Sequence, residues 1–280
     1  MDPFVFFAVL CAAALHAAWN SAIRLGTDRA SAILLLSLSH GVIGLAVLVF
    51  VEPPAPQSYP WLVASAALHL GYQLFLVQAY AHGDLSQAYP LARGSAPMIV
   101  TLVSVAFLGV ALSASDLLAT LLISGGILTM ALLGGGRAGR LRGKALAWAL
   151  GTACFTAGYT LVDGLGARAS GAPTGYLMWM FVLNSLGMIV WALVARGPSA
   201  FAVLRPSLGI GLAAGVLSVG SYWIAIWAFT QAPIALVAAL RESSILFALL
   251  IAAFVIGEKV DRYRWLAGGL IAAGVVAMRL

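Results

Sequence analysis

Gly135-Gly136-Arg137-Ala138-Gly139-Arg140-Leu141-Arg142-Gly143-Lys144 interrupts the middle of the chain, with an apolar run at 116–134 before it and another at 145–163 after it. Each flanking run is about 20 residues, enough for a helix to cross a ~30 Å hydrocarbon core. The interruption is basic and glycine-rich, so it belongs in water beside a membrane. Working outward from it in both directions, the same pattern recurs: apolar runs broken by Gly, Pro or charge at 4–23, 31–50, 60–81, 87–109, 116–134, 145–163, 175–195, 208–229, 234–256 and 263–279. The expected fold class is therefore all-α, a polytopic membrane protein of ten transmembrane helices. Runs of this length satisfy their backbone hydrogen bonds internally only as helices, and a β-barrel would need shorter, alternating segments.

Composition agrees. Apolar residues make up 62% of the 280 and charged ones 9%, with net charge +6 and mean hydropathy +1.03. Too few charges remain to cover a water-facing surface, which argues against a soluble enzyme, a disordered chain or a nucleic-acid partner. Cys11 and Cys154 both fall within apolar runs and make neither a disulfide framework nor a metal spacing. The Met-Asp-Pro start lacks a basic segment, so the first run reads as a span rather than a cleaved signal.

Lys and Arg divide by side. Connections after odd-numbered spans carry Arg24, Arg29, Arg137, Arg140, Arg142, Lys144, Arg196, Arg205, Lys259, Arg262 and Arg264, whereas the opposite side has Arg168 and Arg279. The bias places odd-numbered connections in the cytoplasm and both termini outside. The halves also look related. Arg93 and Arg241, Gly109 and Gly257, and Gly126 and Gly274 align at one offset, 148; Leu25-Gly26 meets Leu165-Gly166 at 140, and there His16, Trp19 and Asn20 meet Thr156, Tyr159 and Thr160. The expected units are 1–136 and 143–280, joined by a basic loop at 137–142. Five spans is an odd number, so a repeated unit inserts upside down relative to its twin: two inverted five-helix repeats, the plan on which many transporters build a central site.

Polar residues inside the spans are the informative ones. His16, Trp19 and Asn20 share a face of span 1; His69, Tyr72, Gln73 and Tyr80 share one in span 3; Thr152, Thr156, Tyr159, Thr160 and Asp163 in span 6; Ser218, Ser221 and Tyr222 in span 8; Tyr89 and Arg93 lie one turn apart in span 4. The Ser and Thr groups read as interhelical packing, worth roughly 0.6 kcal/mol each. The His, Asn, Gln and Tyr groups point to a shared polar cavity. Arg93, Arg241 and Glu242 are costly, each ~2.5–3.5 kcal/mol at a helix centre, and both arginines lie roughly 5 Å from the midplane. Arg93 can pair with Glu242, an arginine can bond broken-helix carbonyls, or one can serve as a fork for a substrate carboxylate or phosphoryl group. Glu242 is the candidate for proton coupling. Pro90 and Pro97 flank Arg93, and Pro233 opens span 9; such prolines kink a span or free carbonyls. Gly211 and Gly215 have the spacing of close helix packing. Gly134, Gly136 and Gly139 fit G-x-G-x-x-G, but no strand precedes them, and no Walker A loop is present.

Three stretches resemble the EamA family of the drug/metabolite transporter superfamily: His16-Ala17-Ala18-Trp19-Asn20; Ala79 through Gly94, including Gly83-Asp84-Leu85-Ser86-Gln87-Ala88-Tyr89-Pro90; and Ala239-Leu240-Arg241-Glu242-Ser243-Ser244 through Gly257-Glu258-Lys259. The resemblance implies a ten-helix basket of two inverted repeats, alternating access, and transport of small metabolites such as amino acids. One departure is that Gly109-Val110-Ala111 stands where the second half has Gly257-Glu258-Lys259. The expected function is a secondary transporter, an exporter of a small polar or amphipathic metabolite, in a cell membrane of the bacterial inner-membrane kind. It would not be an enzyme, would use no cofactor or metal, and would be a monomer or weak homodimer in contact with lipid. The expected site is His16, Trp19, Asn20, His69, Tyr72, Tyr89, Arg93, Tyr159, Tyr222 and Arg241. A rival reading is a membrane-embedded enzyme or lipid-handling protein using His16, His69 and Asp163; a third is a passive channel or a subunit of a larger assembly.

Overall fold

A backbone amide in hydrocarbon has no water to bond, so each crossing segment closes its own hydrogen bonds. The computed structural model follows that rule, and it describes residues 1–23, 29–82, 85–133, 143–202 and 204–279. The connecting loop expected at 137–142, and Gly83-Asp84 of the second motif, lie outside them. The long helices are α1 (Pro3–Ile23), α2 (Arg29–Leu48), α3 (Tyr59–His82), α4 (Leu85–Ala106), α5 (Ala114–Leu133), α6 (Lys144–Ser170) and α7 (Pro173–Arg196). A short α8 (Ser199–Ala202) precedes α9 (Leu208–Gln231). One further traverse is made of α10 (Ile234–Arg241), α11 (Ser244–Leu250) and a π-helical turn at Ile251–Ile256, and the last is α12 (Arg262–Ala277). These make ten helical traverses among the described residues. Eight helical segments are long and apolar enough on their own to cross a membrane. The remaining two traverses are α4, which carries Arg93, Pro90 and Pro97, and the 16-residue α12.

Two traverses depart from the expected spans. The sixth was expected to end at Asp163, but α6 runs on to Ser170 and stops at Gly171, whose φ of 64° only glycine adopts freely. The charge does not end the helix because Asp163 is fully buried and its carboxylate is bonded on several sides. The ninth was expected to be continuous over 234–256. Instead it breaks directly after Arg241: Glu242 and Ser243 form a turn whose N–H groups reach back only three residues, to Ala239 and Leu240, at 3.1 Å each. Pro233 caps the start of α10 as expected, while α4 runs on through both its prolines.

Large apolar side chains such as Phe4, Phe7, Phe50, Phe107 and Phe254 face outward, while small residues sit at several of the closest helix contacts. Lipid tails are as apolar as leucine, so the hydrophobic effect does not drive helices together there; close packing does. The main pairings are α3 on α6, α1 on α9, α2 on α7 and α5 on α12, with α4 between α5 and α6 and with α10 and α11 against α1. Gly211 and Gly215 of α9 lie against Leu35 and Ser39 of α2, and Ser39 Oγ donates to the carbonyls of Leu35 (2.9 Å) and Gly211 (3.3 Å). One contiguous apolar cluster includes Phe6 and Val9 of α1, Tyr176 and Met178 of α7, Phe229 of α9 and Leu236 of α10. Arg168 ties α6 to the same end of the molecule by donating to the carbonyls of Phe229 and Ala232, each at 2.8 Å.

The α5–α12 crossing has no room for side chains. A methyl at Gly126 would sit 2.8 Å from the Ala267 carbonyl oxygen, and one at Gly274 would sit 2.8 Å from that of Ala119. Gly126→Leu and Gly274→Leu are each expected to cost about 1–3 kcal/mol, read as a drop in the melting temperature of the detergent-purified protein. Wild-type melting in both variants would contradict this packing.

Candidate functional site

The polar stripes meet in one cavity of about 340 Å³, walled by α1, α2, α3, α4, α6, α7, α9 and the end of α10. Helical periodicity puts His16, Trp19 and Asn20 on one turn of α1. The rings of His16 and Trp19 meet edge to face at 4.9 Å, Asn20 Nδ2 lies 3.4 Å from His16 Nε2, and it donates to Tyr89 Oη at 2.9 Å. That bond ties α1 to α4. From α3 come His69, Tyr72 and Gln73; from α4, Tyr89 and Arg93; from α6, Tyr159; from α9, Tyr222; and from α10, Arg241. All ten residues expected at the site therefore stand on one wall. The threonine stripe of α6 behaves differently. Thr152, Thr156 and Thr160 each donate to the carbonyl four residues back, at 2.8, 2.8 and 2.7 Å, and so serve their own helix.

The three costly charges resolve into a pair and a single. Arg93 Nε lies 2.9 Å from Glu242 Oε2, with both side chains 6% exposed. The pair joins α4 to the break after α10, and Glu242, the proton-coupling candidate, is thus neutralised by Arg93. Adjacent residues on a helix point in different directions, and Arg241 turns away from its neighbour. Its guanidinium lies over the Tyr222 ring, 4.9 Å from the centroid, with no ion-pair partner among the described residues.

Asp163 sits behind the wall. Its carboxylate accepts from Ser65 Oγ and Tyr222 Oη and lies 2.9 Å from His69 Nε2, while the His69 ring stacks on Tyr159 at 4.0 Å. His69 reaches the cavity and Asp163 does not. Of the trio in the enzyme reading, His69 and Asp163 pair, while His16 contacts Trp19 and Asn20. Among the described residues no three metal-capable side chains converge, and both cysteines are exposed and free.

Apart from the ion-paired Arg93 Nε, four buried polar atoms of the lining have no hydrogen-bond partner among the described residues: Trp19 Nε1, Gln73 Oε1, His40 Nε2 and Asn184 Oδ1. His40, Asn184 and Phe181 are lining residues that the expected site omits. Asn184 was signalled, as one of two asparagines, both inside spans. His40 carried a weaker signal, a position three after Ser37 and so on the same face of α2.

Known proteins extend the description. Residues 143–280, which contain α6 through α12, match the model of the EamA-like transporter family. A solved structure described only as "Crystal structure of protein" superposes with a TM-score of 0.74, covering 99% of this chain and 97% of its own at 14% identity. At that identity the likeness is one of fold. No curated protein matches the chain.

Removing one member of a buried ion pair strands the other charge. Arg93→Ala is expected to destabilise by about 3–5 kcal/mol, while Arg93→Met with Glu242→Leu is expected to recover most of that loss. Thermal melting of the two variants side by side checks it; equal melting would show that the pair is not what holds α4 to the broken helix.

Proposed function

The chain belongs, through residues 143–280, to the EamA-like transporter family, and from that premise we propose that it is a secondary active transporter that exports a small amphipathic metabolite bearing an anionic group. The observation that carries the reading is the charge balance of the cavity. Arg93 is ion-paired with Glu242, whereas Arg241 is 8% exposed, faces the cavity and makes no ion pair among the described residues. A desolvated, unpaired guanidinium is costly, and an anion arriving in the cavity removes that cost. Trp19, Tyr72, Tyr89, Tyr159 and Tyr222 supply an aromatic part of the same lining. A cation without an ion-pair partner among the described residues, set among aromatic rings, suits a carboxylate on an apolar body, such as an amino acid or a related compound, better than a phosphorylated solute. The cavity volume lies within the range of small-molecule sites.

The proposed mechanism is alternating access by two inverted five-helix repeats, 1–136 and 143–280. Several observations support it. Exchanging each of the first five traverses with the traverse five further on turns the α3–α6 pairing into α1–α9, and α4–α6 into the packing of α10 and α11 on α1; α2–α7 and α5–α12 map onto themselves. At the α5–α12 crossing, Gly126 faces Ala267 as Gly274 faces Ala119, and both steps are the 148-residue offset of the sequence. Gly109 and Gly257, one offset apart, both take left-handed backbone, at φ 64° and 78°. In this reading the apolar cluster around Val9, Tyr176 and Phe229 closes one end, and rocking of the repeats opens it while closing the other. Protonation of Glu242 would release Arg93 at the break in the ninth traverse, where two short half-helices can pivot.

The Lys/Arg bias then puts both termini outside a cell membrane, and the cavity toward the cytoplasm, since it lies beside the end of α1 and the start of α2. The lining also limits the rival enzyme reading, because the Asp163 carboxylate is occupied by Ser65, Tyr222 and His69.

The test uses 3-phenylpropionate, a monoanion on an aryl body, in proteoliposome flux and in ligand-induced melting shifts. Arg241→Gln is expected to slow flux by about ten-fold or more and to abolish the melting shift, while Arg241→Lys retains part of both. Undiminished flux in a folded Arg241→Gln protein removes this residue from substrate binding.

A further inference from the structure

Arg241 accounts for one end of the cavity and leaves the other unexplained. Four side chains form a row along the wall: the His40 ring stacks on Phe181 at 4.3 Å, Phe181 meets Tyr222 at 6.1 Å, and Tyr222 underlies the Arg241 guanidinium at 4.9 Å. Two aromatic rings thus separate His40 from Arg241. Asn184 stands one turn beyond Phe181 on α7, and Ser37 one turn before His40 on α2. Asn184 Nδ2 donates to Ser37 Oγ at 3.3 Å, which leaves its Oδ1 as the free end of the amide.

Asn184 Oδ1 and His40 Nε2 both lack a partner among the described residues, on side chains only 2% and 8% exposed, and both residues line the cavity. Leaving a buried amide oxygen unmet is costly, so native interiors seldom do it. Each group meets a partner readily if the cavity holds a hydrogen-bond donor at this end. An amide oxygen can only accept, and a neutral imidazole nitrogen can accept as well.

We propose that His40 and Asn184 form a second ligand subsite, which takes the hydroxyl or amine group at the far end of an elongated carboxylate whose acid group lies on Arg241. The proposal rests on the reading of Arg241 as the anion receptor and adds the shape and far-end chemistry of the ligand. The apolar body of that ligand lies along Phe181 and Tyr222. An acid whose only donor is adjacent to its carboxylate cannot reach both ends of the row, so the donor read here is carried on the distal end of the body. A site built around a hydrogen bond discriminates sharply against an analogue lacking the group, because its own buried atoms are then left unpaired.

The experiment measures binding of 3-(4-hydroxyphenyl)propionate and 3-phenylpropionate to the purified full chain by calorimetry. The hydroxyl compound is expected to bind the wild type about ten-fold more tightly. Asn184→Leu and His40→Phe are expected to collapse that ratio toward one, and Asn184→Asp, which keeps an acceptor, to retain it; the two collapsing variants act on different helices, so one suffices if the other does not fold. A wild-type ratio near one, with both compounds lost in Arg241→Gln, overturns the subsite and leaves Arg241 as the anion receptor. An unchanged ratio in Asn184→Leu or His40→Phe overturns it too. If neither compound binds the wild type, the Arg241 reading falls and the subsite with it.

Discussion

Hydrocarbon offers no hydrogen-bond partner, and everything polar in this chain is arranged around that constraint. The backbone closes its bonds within each helix, and the side chains that cannot do so turn inward. Asn20 finds Tyr89, Asn184 finds Ser37, Ser221 finds the Ala12 carbonyl at 2.7 Å, and Arg93 finds Glu242. These bonds join α1 to α4, α2 to α7, α1 to α9 and α4 to the broken ninth traverse. The inward turn also leaves some groups without a partner among the described residues, and those of Trp19, Gln73, His40 and Asn184 face one cavity.

The same constraint explains what holds the helices together. With Phe4, Phe7 and Phe254 facing lipid, apolar burial distinguishes little between the membrane and the interior. Packing density takes over, and it requires small residues at the crossings. Gly126 and Gly274 let α5 and α12 approach to carbonyl contact, and Gly211 and Gly215 do the same for α9 on α2. The break at Glu242-Ser243 belongs to this logic as well. A turn there frees backbone groups, which is tolerated because the segment is buried in protein and lined by a paired charge rather than by acyl chains.

Much of this was legible before any coordinates. Eight of the ten spans could be placed to within about three residues, because length and hydropathy are local properties that lipid selects directly. The site stripes were legible for the same reason, since helical spacing decides which residues share a face. The departures have physical causes of their own. Asp163 looked like the end of a helix because a charge is expensive in lipid, and the donors that make it tolerable come from α3 and α9. His40 carries little signal along the chain, one histidine among leucines and serines, and its significance comes from Phe181 and Asn184 on another helix.

By itself, the sequence determined that the chain is helical and membrane-bound, and which few residues would be costly to bury. Those conclusions rest on composition and period, which each segment carries alone. Only the tertiary structure decided that Arg93 is the arginine paired with Glu242 and that Arg241 has no ion-pair partner among the described residues. Two arginines 148 residues apart, each inside an apolar run, look alike along the chain; the rotation of α4 and α10 about their axes, set by packing against other helices, brings Glu242 to one and the face of Tyr222 to the other.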